Sequence, residues 1–281
     1  MSRVVHYTDV LAQAAGACGT ALDDLSVAEA ALYQQSASRR LRWAWRSAWW
    51  PVVCRCEERW FRPIWEQSRS YPPDAEVYRP LSGKYFWAKQ ASLGKIPEDW
   101  SDYWKDVTTS LDRTMDLDQP GLEAIGDVRD VWKSNPRTNP RAIAYRRDEW
   151  ELTAGGLYVA GAANSVWLRY RVECPQLFGQ AWDETRTYAV GNQVYWQDSS
   201  QNGDFWVCTA ATAAGESPET NPAKWELVGL PSCFVSFLVQ GMYADYLKRM
   251  GQNEKFKAED GEAVSELTAS APDEWERIAV N

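Results

Sequence analysis

The sequence predicts an α+β protein: a helical bundle made from the N- and C-terminal helices, with a β segment and two small β modules inserted. Three observations predict it. A capped helical run lies at residues 26–50, and an apolar helical stripe follows Val228. The segment 63–107 recurs as 180–228. Between the two copies, residues 165–172 alternate with the two-residue period of a half-buried strand.

Taken in order, residues 7–17 (YTDVLAQAAGA) fit a short helix capped by Thr8. Ser26-Val27-Ala28-Glu29 is a capping box, opening a helix drawn to about Trp50 and stopped by Pro51. Leu32, Leu41, Trp45, Ala48 and Trp49 recur at helical spacing as its expected buried stripe. Arginines interleave with Trp43, Trp45, Trp49 and Trp50, a mixture enriched at protein interfaces, with an Arg-flanked core helix as the alternative. Arg39, Arg42, Trp43, Arg46 and Trp50 are therefore interface candidates within an N-terminal helical part, residues 1–62. Arg39, Arg40, Arg42, Arg46, Arg55, Arg59 and Arg62 make this stretch basic, whereas the last thirty residues lean acidic.

The two repeat copies match at their largest residues. Trp65 aligns with Trp182, Tyr71 with Tyr188, Val77-Tyr78 with Val194-Tyr195, and Gly83 with Gly203. Tyr85-Phe86 aligns with Phe205-Trp206, Pro97 with Pro218, Trp104 with Trp225, and Val107 with Val228. Runs at Glu76–Tyr78, Lys84–Lys89, Gln193–Trp196 and Phe205–Thr209 read as strands separated by Gly, Pro, Asn and Ser. A module this small has little interior, so a few large aromatics must supply most of its burial. Trp65, Tyr71, Trp104, Trp182, Tyr188, Tyr195, Trp206 and Trp225 are accordingly read as module core or as stacking residues for a glycan.

The order Trp, Tyr, a Gly-Asn turn, Val-x-Tyr, an aromatic pair, Gly-x-x-Pro and a final Trp resembles the small chitin-binding carbohydrate-binding modules. The second copy keeps that scaffold best, through Gly191-Asn192 and Gly215-Glu216-Ser217-Pro218. It departs where the family places its stacking aromatics, with Ala210, Ala211, Thr212 and Glu216 there instead, and the first copy replaces the turn with Pro72-Pro73-Asp74. The resemblance implies the module fold more strongly than sugar binding, because function resides in the site.

The middle segment, 108–179, carries strand-like IGDVRDVW, GGLYVAG and SVWLRYRV, with Val166, Leu168 and Tyr170 on a buried face and Trp167, Arg169 and Arg171 on a basic one. Asn135-Pro136-Arg137 and Asn139-Pro140-Arg141 mark a loop. In the C-terminal part, 229–269, Phe234, Phe237, Leu238, Met242 and Tyr246 form an apolar stripe ended by Gly251, and a more polar helix runs from roughly Glu254 to Ala269. Residues 270–281 form a tail or docking segment, with Trp275 and Ile278 as further interface candidates.

Three stretches in this order resemble the head-to-tail adaptor proteins of tailed phages: YTDVLAQAAG with ASRRLRWAWRSAWWP, IGDVRDVWKSNPR leading to SVWLRYRVECPQL, and YADYLKRMGQNEKFKAEDGEAVSEL. The resemblance implies a ring, usually of twelve subunits, beneath the portal protein. That ring would contact neighbouring subunits and a downstream tail protein and pass DNA without sequence-specific binding. It also implies a virion protein assembled in the host cytoplasm, with residues 270–281 reaching the portal. A carbohydrate-binding protein recognising host surface glycans is the alternative.

Composition narrows the remaining classes. Hydrophobic residues at 45% and charged residues at 25% are those of an ordinary globular chain, but 17 Trp and 13 Tyr are not. A net charge of −9 argues against nucleic-acid binding through overall charge. The six cysteines form no C-x-x-C pair, Met1–Ala17 lacks the apolar core of a signal peptide, and no stretch approaches a membrane span, so a reduced protein outside the membrane is expected. One histidine, His6, leaves no Ser-His-Asp or Cys-His arrangement and no usual zinc set. No phosphate-binding loop occurs, Gly155-Gly156 lacks dinucleotide spacing, and Asp183-Glu184 and Glu149/Glu151 read as solvated acids. No catalytic residue, cofactor or metal is expected.

Overall fold

In the computed structural model, which describes residues 4–119, 122–162, 164–198 and 203–271, helices and small sheets are mixed, as an α+β chain requires. The chain divides into two compact units, one formed by residues 53–173 and the other by the segments before and after them. Residues 53–173 are thus a single insertion. Its two ends lie side by side, with the Val172 N–H donating to the Val53 carbonyl at 2.9 Å.

Within the insertion, Cys54–Trp60, Ser165–Val172 and Ile125–Trp132 form an antiparallel sheet with Ser165–Val172 in the centre. Its alternation works as the sequence requires: Val166, Leu168 and Tyr170 are buried together with Val128, Val131, Leu157 and Met115. The other face of Ser165–Val172 is basic but not open, because Arg171 is itself buried. Gly156 closes the hairpin between Trp150–Thr153 and Gly156–Val159 with a φ of 123°. A Cβ there would stand 2.0 Å from the Met115 carbonyl oxygen, which accounts for the glycine at 156. The first repeat belongs to this unit, with Glu76–Arg79, Lys84–Ala88 and Trp104–Asp106 as its sheet.

These boundaries differ from the segments read off the sequence. Residues 54–60 fall in the insertion rather than in the N-terminal helical part, because their ladder partner is more than a hundred residues away. Cys174–Gly179 falls outside the insertion, with the Gln34 side chain donating to the Leu177 carbonyl at 2.8 Å.

In the other unit, α1 spans Tyr7–Ala17, α2 Val27–Ser47, α3 Val235–Arg249 and α4 Asn253–Ser270; α1, α2 and α4 each pack on α3. The capping box of α2 forms as expected, Ser26 Oγ accepting from the Glu29 N–H at 3.3 Å. The helix stops at Ser47, and its buried row is Tyr33, Ser36, Ala37, Arg40, Leu41, Ala44 and Trp45. Leu41 and Trp45 are buried as expected, whereas Leu32 is exposed with Tyr33 buried beside it, and Ala48 and Trp49 lie beyond the helix end, half-buried. Helix α3 ends in the expected glycine turn: Gly251 has a φ of 74°, and the Gln252 N–H donates to the Leu247 carbonyl at 2.9 Å.

Thr8 does not cap α1. His6 holds the cap position, and the acceptor comes from the second repeat: the buried Asp204 receives the Thr8 N–H at 3.3 Å and the His6 ring at 2.8 Å. The repeat supplies a sheet ordered Gln180–Ala181, Gln193–Gln197, Gly203–Cys208 and Trp225–Leu227. Among the described residues no helix is long and apolar enough to cross a membrane.

Candidate functional site

The outward face of α2 is fixed by a charge network beneath it. Arg40, buried in the helix row, donates to Asp245 on α3 from Nε and Nη2, each at 3.0 Å, and to Asp260 on α4 at 2.7 Å. Ser36 also donates to Asp245, and Arg39 closes on it at 2.6 Å. Burial alone would raise the Asp245 carboxyl, but bonds from Arg40 and Ser36 outweigh it and hold the carboxyl below the usual range. The network's contribution to stability is therefore in place above about pH 4 and is lost as pH falls through the depressed value. Gly241 makes room: a Cβ there would lie 2.3 Å from Arg40 Cδ. One guanidinium thus ties three helices together and fixes their register.

On that support, Arg39, Arg42, Trp43 and Arg46 are all exposed. Trp43 keeps 45% of its surface while stacking on Phe237, ring centres 5.2 Å apart, so the indole is oriented although its outer face is free. Trp50 does not share this surface. It is 3% exposed, lies edge-on to Phe234, and donates its indole N–H to the Ala44 carbonyl at 2.8 Å, satisfying one carbonyl of the last turn of α2. Trp275 and Ile278 lie outside the described residues. The basic stretch of the sequence is not one basic surface, since Arg55 pairs with Glu123, Arg59 with Glu57 and Arg62 with Glu76. Arg59 is fully buried against the Tyr170 hydroxyl at 2.5 Å, and burial pushes that hydroxyl up.

The repeat aromatics fall into three groups. Trp65, Tyr71 and Trp104 form the mini-core of the first copy with Val77 and Phe86, and Tyr188 and Trp225 form that of the second with Val194 and Cys208. Trp182 and Trp206 pack on the second mini-core but stay half-buried. Tyr195 belongs to neither group: it lies on the opposite side of its strand against Phe205, ring centres 5.1 Å apart. Where the carbohydrate-binding modules place stacking aromatics, Glu216 instead receives Lys224 at 2.6 Å and Asn221 at 3.0 Å, and the Thr212 hydroxyl receives the Tyr188 N–H at 2.9 Å.

One acid of each pair has a structural duty. Asp183 accepts from the Thr185 N–H and hydroxyl, and Glu149 accepts the Arg146 N–H at 2.6 Å. Among the described residues, no group of three or more His, Cys, Asp or Glu is placed to hold a metal ion. Burial raises the Cys54, Cys56 and Cys208 thiols, which keeps them protonated and poorly nucleophilic. No family model, curated protein or solved structure matches the chain. Function must therefore be argued from these surfaces. Sequence reasoning missed Arg40, which looks like its exposed neighbours in the Arg-rich run; the only pointer is helical phase, three residues beyond the buried Ala37.

Proposed function

We propose that the chain is a structural virion protein of a tailed phage, a head-to-tail adaptor that forms a ring beneath the portal and works without catalysis. In this reading the terminal helices make a bundle that carries the β parts as insertions. The ring, of twelve subunits by the resemblance, bridges portal and downstream tail protein and surrounds the DNA path. The observation that carries the reading is the α2 face: Arg39, Arg42, Trp43 and Arg46 exposed on a helix whose register is locked by Arg40. Exposed arginine beside an oriented tryptophan is the residue chemistry of energetic interface centres, and a locked helix limits the ordering cost of docking.

The half-buried Trp182 and Trp206 favour a second reading, recognition of host surface glycans by the second repeat. Electron microscopy of the purified protein mixed with its portal rings separates the two. The adaptor reading expects added ring density on one portal face, lost in a Trp43→Ala, Arg46→Ala variant that still unfolds at the normal temperature. Absence of association at high concentration, together with chitin-fragment binding that Trp206→Ala abolishes, would sink it in favour of the glycan reading.

A further inference from the structure

We propose that the loop 133–147 is a contact surface for the phosphate backbone of duplex DNA. These fifteen residues, KSNPRTNPRAIAYRR, hold five basic side chains and no acidic one, in a chain of net charge −9. Lys133, Arg137, Arg141, Arg146 and Arg147 are all exposed. Among the described residues, none of the five forms an ion pair, whereas Arg39, Arg40, Arg55, Arg59 and Arg62 each do. Asp148 and Glu149 follow directly, Glu149 accepting the Arg146 N–H at 2.6 Å, so counter-charge sits at one end of the loop, and like charge along the rest favours a partner that supplies anions.

The loop is also built to hold its shape. The Lys133 N–H donates to the Ile143 carbonyl at 2.9 Å, and the Tyr145 N–H to the Val131 carbonyl at 2.8 Å, closing its neck. Inside, the Asn135 side chain accepts the Arg137 N–H at 2.9 Å, and the Asn139 side chain accepts the Arg141 N–H at 3.0 Å. The Asn139 N–H reaches the Asn135 carbonyl at 3.0 Å, and Pro136 and Pro140 fix φ between these turns. Lys133 rests over the Tyr145 ring at 4.9 Å, and Arg147 over Trp150 at 3.9 Å. An ordered loop presents its charges without a further ordering cost.

The residue types select the ligand. Four of the five cations are arginine, whose planar fork matches phosphate oxygens in pairs. The loop's one aromatic, Tyr145, is buried, so no ring is free to stack on an unpaired base. A duplex is therefore favoured over unpaired strands, and the proposed contacts are those to its phosphates. A lipid surface would require an apolar face beside the charges, and here Ile143 alone is apolar, large and exposed. The choice of DNA among polyanions rests on the adaptor reading, and an acidic chain with one basic loop would touch passing DNA weakly rather than grip it.

The test is fluorescence anisotropy of the full chain with a random-sequence 30-base-pair duplex, titrated with salt. Five neutralised phosphates give a slope of log K against log salt of about −4 to −5, with dissociation constants on the order of 10⁻⁴ to 10⁻⁶ M. A variant carrying Arg137→Ser, Arg141→Ser and Arg146→Ser should reduce that slope by about 3. The variant Arg186→Ser, Lys257→Ser, which removes exposed cations elsewhere, should leave it unchanged. An unchanged slope in the loop variant, no binding by the wild-type chain in 50 mM salt, or preference for phosphatidylserine vesicles would overturn the proposal. Portal association is read separately. Duplex binding without it would fail the adaptor reading alone, and portal density with an inert loop would fail this proposal alone.

Discussion

The two repeats keep the same interior and differ in what they dock against. Trp65 and Trp182 donate their backbone N–H groups to the matching Tyr78 and Tyr195 carbonyls at 2.8 and 2.9 Å. The Tyr71 and Tyr188 hydroxyls each accept the N–H after that tryptophan at 2.7 Å, and both tyrosines meet the final tryptophan edge-on. On the opposite strand faces the likeness ends. In the first copy, the Tyr85 hydroxyl bonds the Asn164 carbonyl and receives the Phe61 N–H at 3.1 Å, joining the module to the insertion's core. In the second, the matching Phe205 lies edge-on to Tyr7 at 5.2 Å, and its neighbour Asp204 takes the first turn of α1. The face that is not the mini-core is thus the adaptable one, and one scaffold serves two surroundings through differences such as Tyr85 against Phe205 and Lys84 against Asp204.

The largest effects should come from the shared interior. Trp104→Ala and Trp225→Ala each remove a buried indole and its bond to a backbone carbonyl, Lys95 at 2.9 Å and Glu216 at 3.2 Å. Each should cost about 3–5 kcal/mol in urea unfolding. A loss below about 1 kcal/mol at Trp225 would break the comparison, because the second copy would then be held by α1 and not by its own core.

Next in size are the docking faces, where the copies should differ. Asp204→Ala removes the acceptor for His6 and Thr8 and should destabilise by about 1–2 kcal/mol, with faster amide exchange confined first to residues 6–10. At the matching position, Lys84 is exposed, and its one ion pair among the described residues is with the exposed Asp106 at 2.9 Å. Lys84→Ala should stay within about 0.5 kcal/mol of wild type. Equal losses at the two positions would mean that docking does not distinguish the copies.

Why the interior was legible and the docking faces were not follows from the same residues. Large aromatics at matching intervals reveal a repeat, because so small a module has few alternatives for its core. Tyr85 and Phe205 align as two aromatics, and spacing alone does not say which partner each meets. The α+β character was legible for a related reason: caps, stripes and alternation are local signals. The insertion boundary at Val53 was not, since it depends on a ladder between residues 54–60 and 165–171. Nor was the cap of α1, whose acceptor lies 196 residues from Thr8. On α2, the arginine run reads either as an interface or as the flank of a core helix without singling out Arg40, while helical phase buries Arg40 and leaves Arg39 and Arg42 outside.

The smallest effect tests the turn in which the two copies use different chemistry for one conformation. The Gly191 N–H donates to the Cys208 carbonyl and the Asp74 N–H to the matching Ala88 carbonyl, both at 2.8 Å. Both residues are left-handed, Gly191 at φ 87° and Asp74 at 68°, the one non-glycine among the described residues with positive φ. An L-residue there costs about 1–2 kcal/mol, less for Asp, while glycine gives back about 0.5–1 kcal/mol through the freedom of its unfolded chain. Asp74→Gly should therefore stabilise by no more than about 1 kcal/mol. Nothing lies within 4 Å of a Cβ at Gly191, so Gly191→Ala should destabilise by about 1 kcal/mol through backbone strain alone. Thermal unfolding of both variants reads the pair. Destabilisation by Asp74→Gly would show that the Pro72-Pro73-Asp74 turn is held by its proline stiffness and the aspartate side chain, and that the two turns coincide in shape but not in cause.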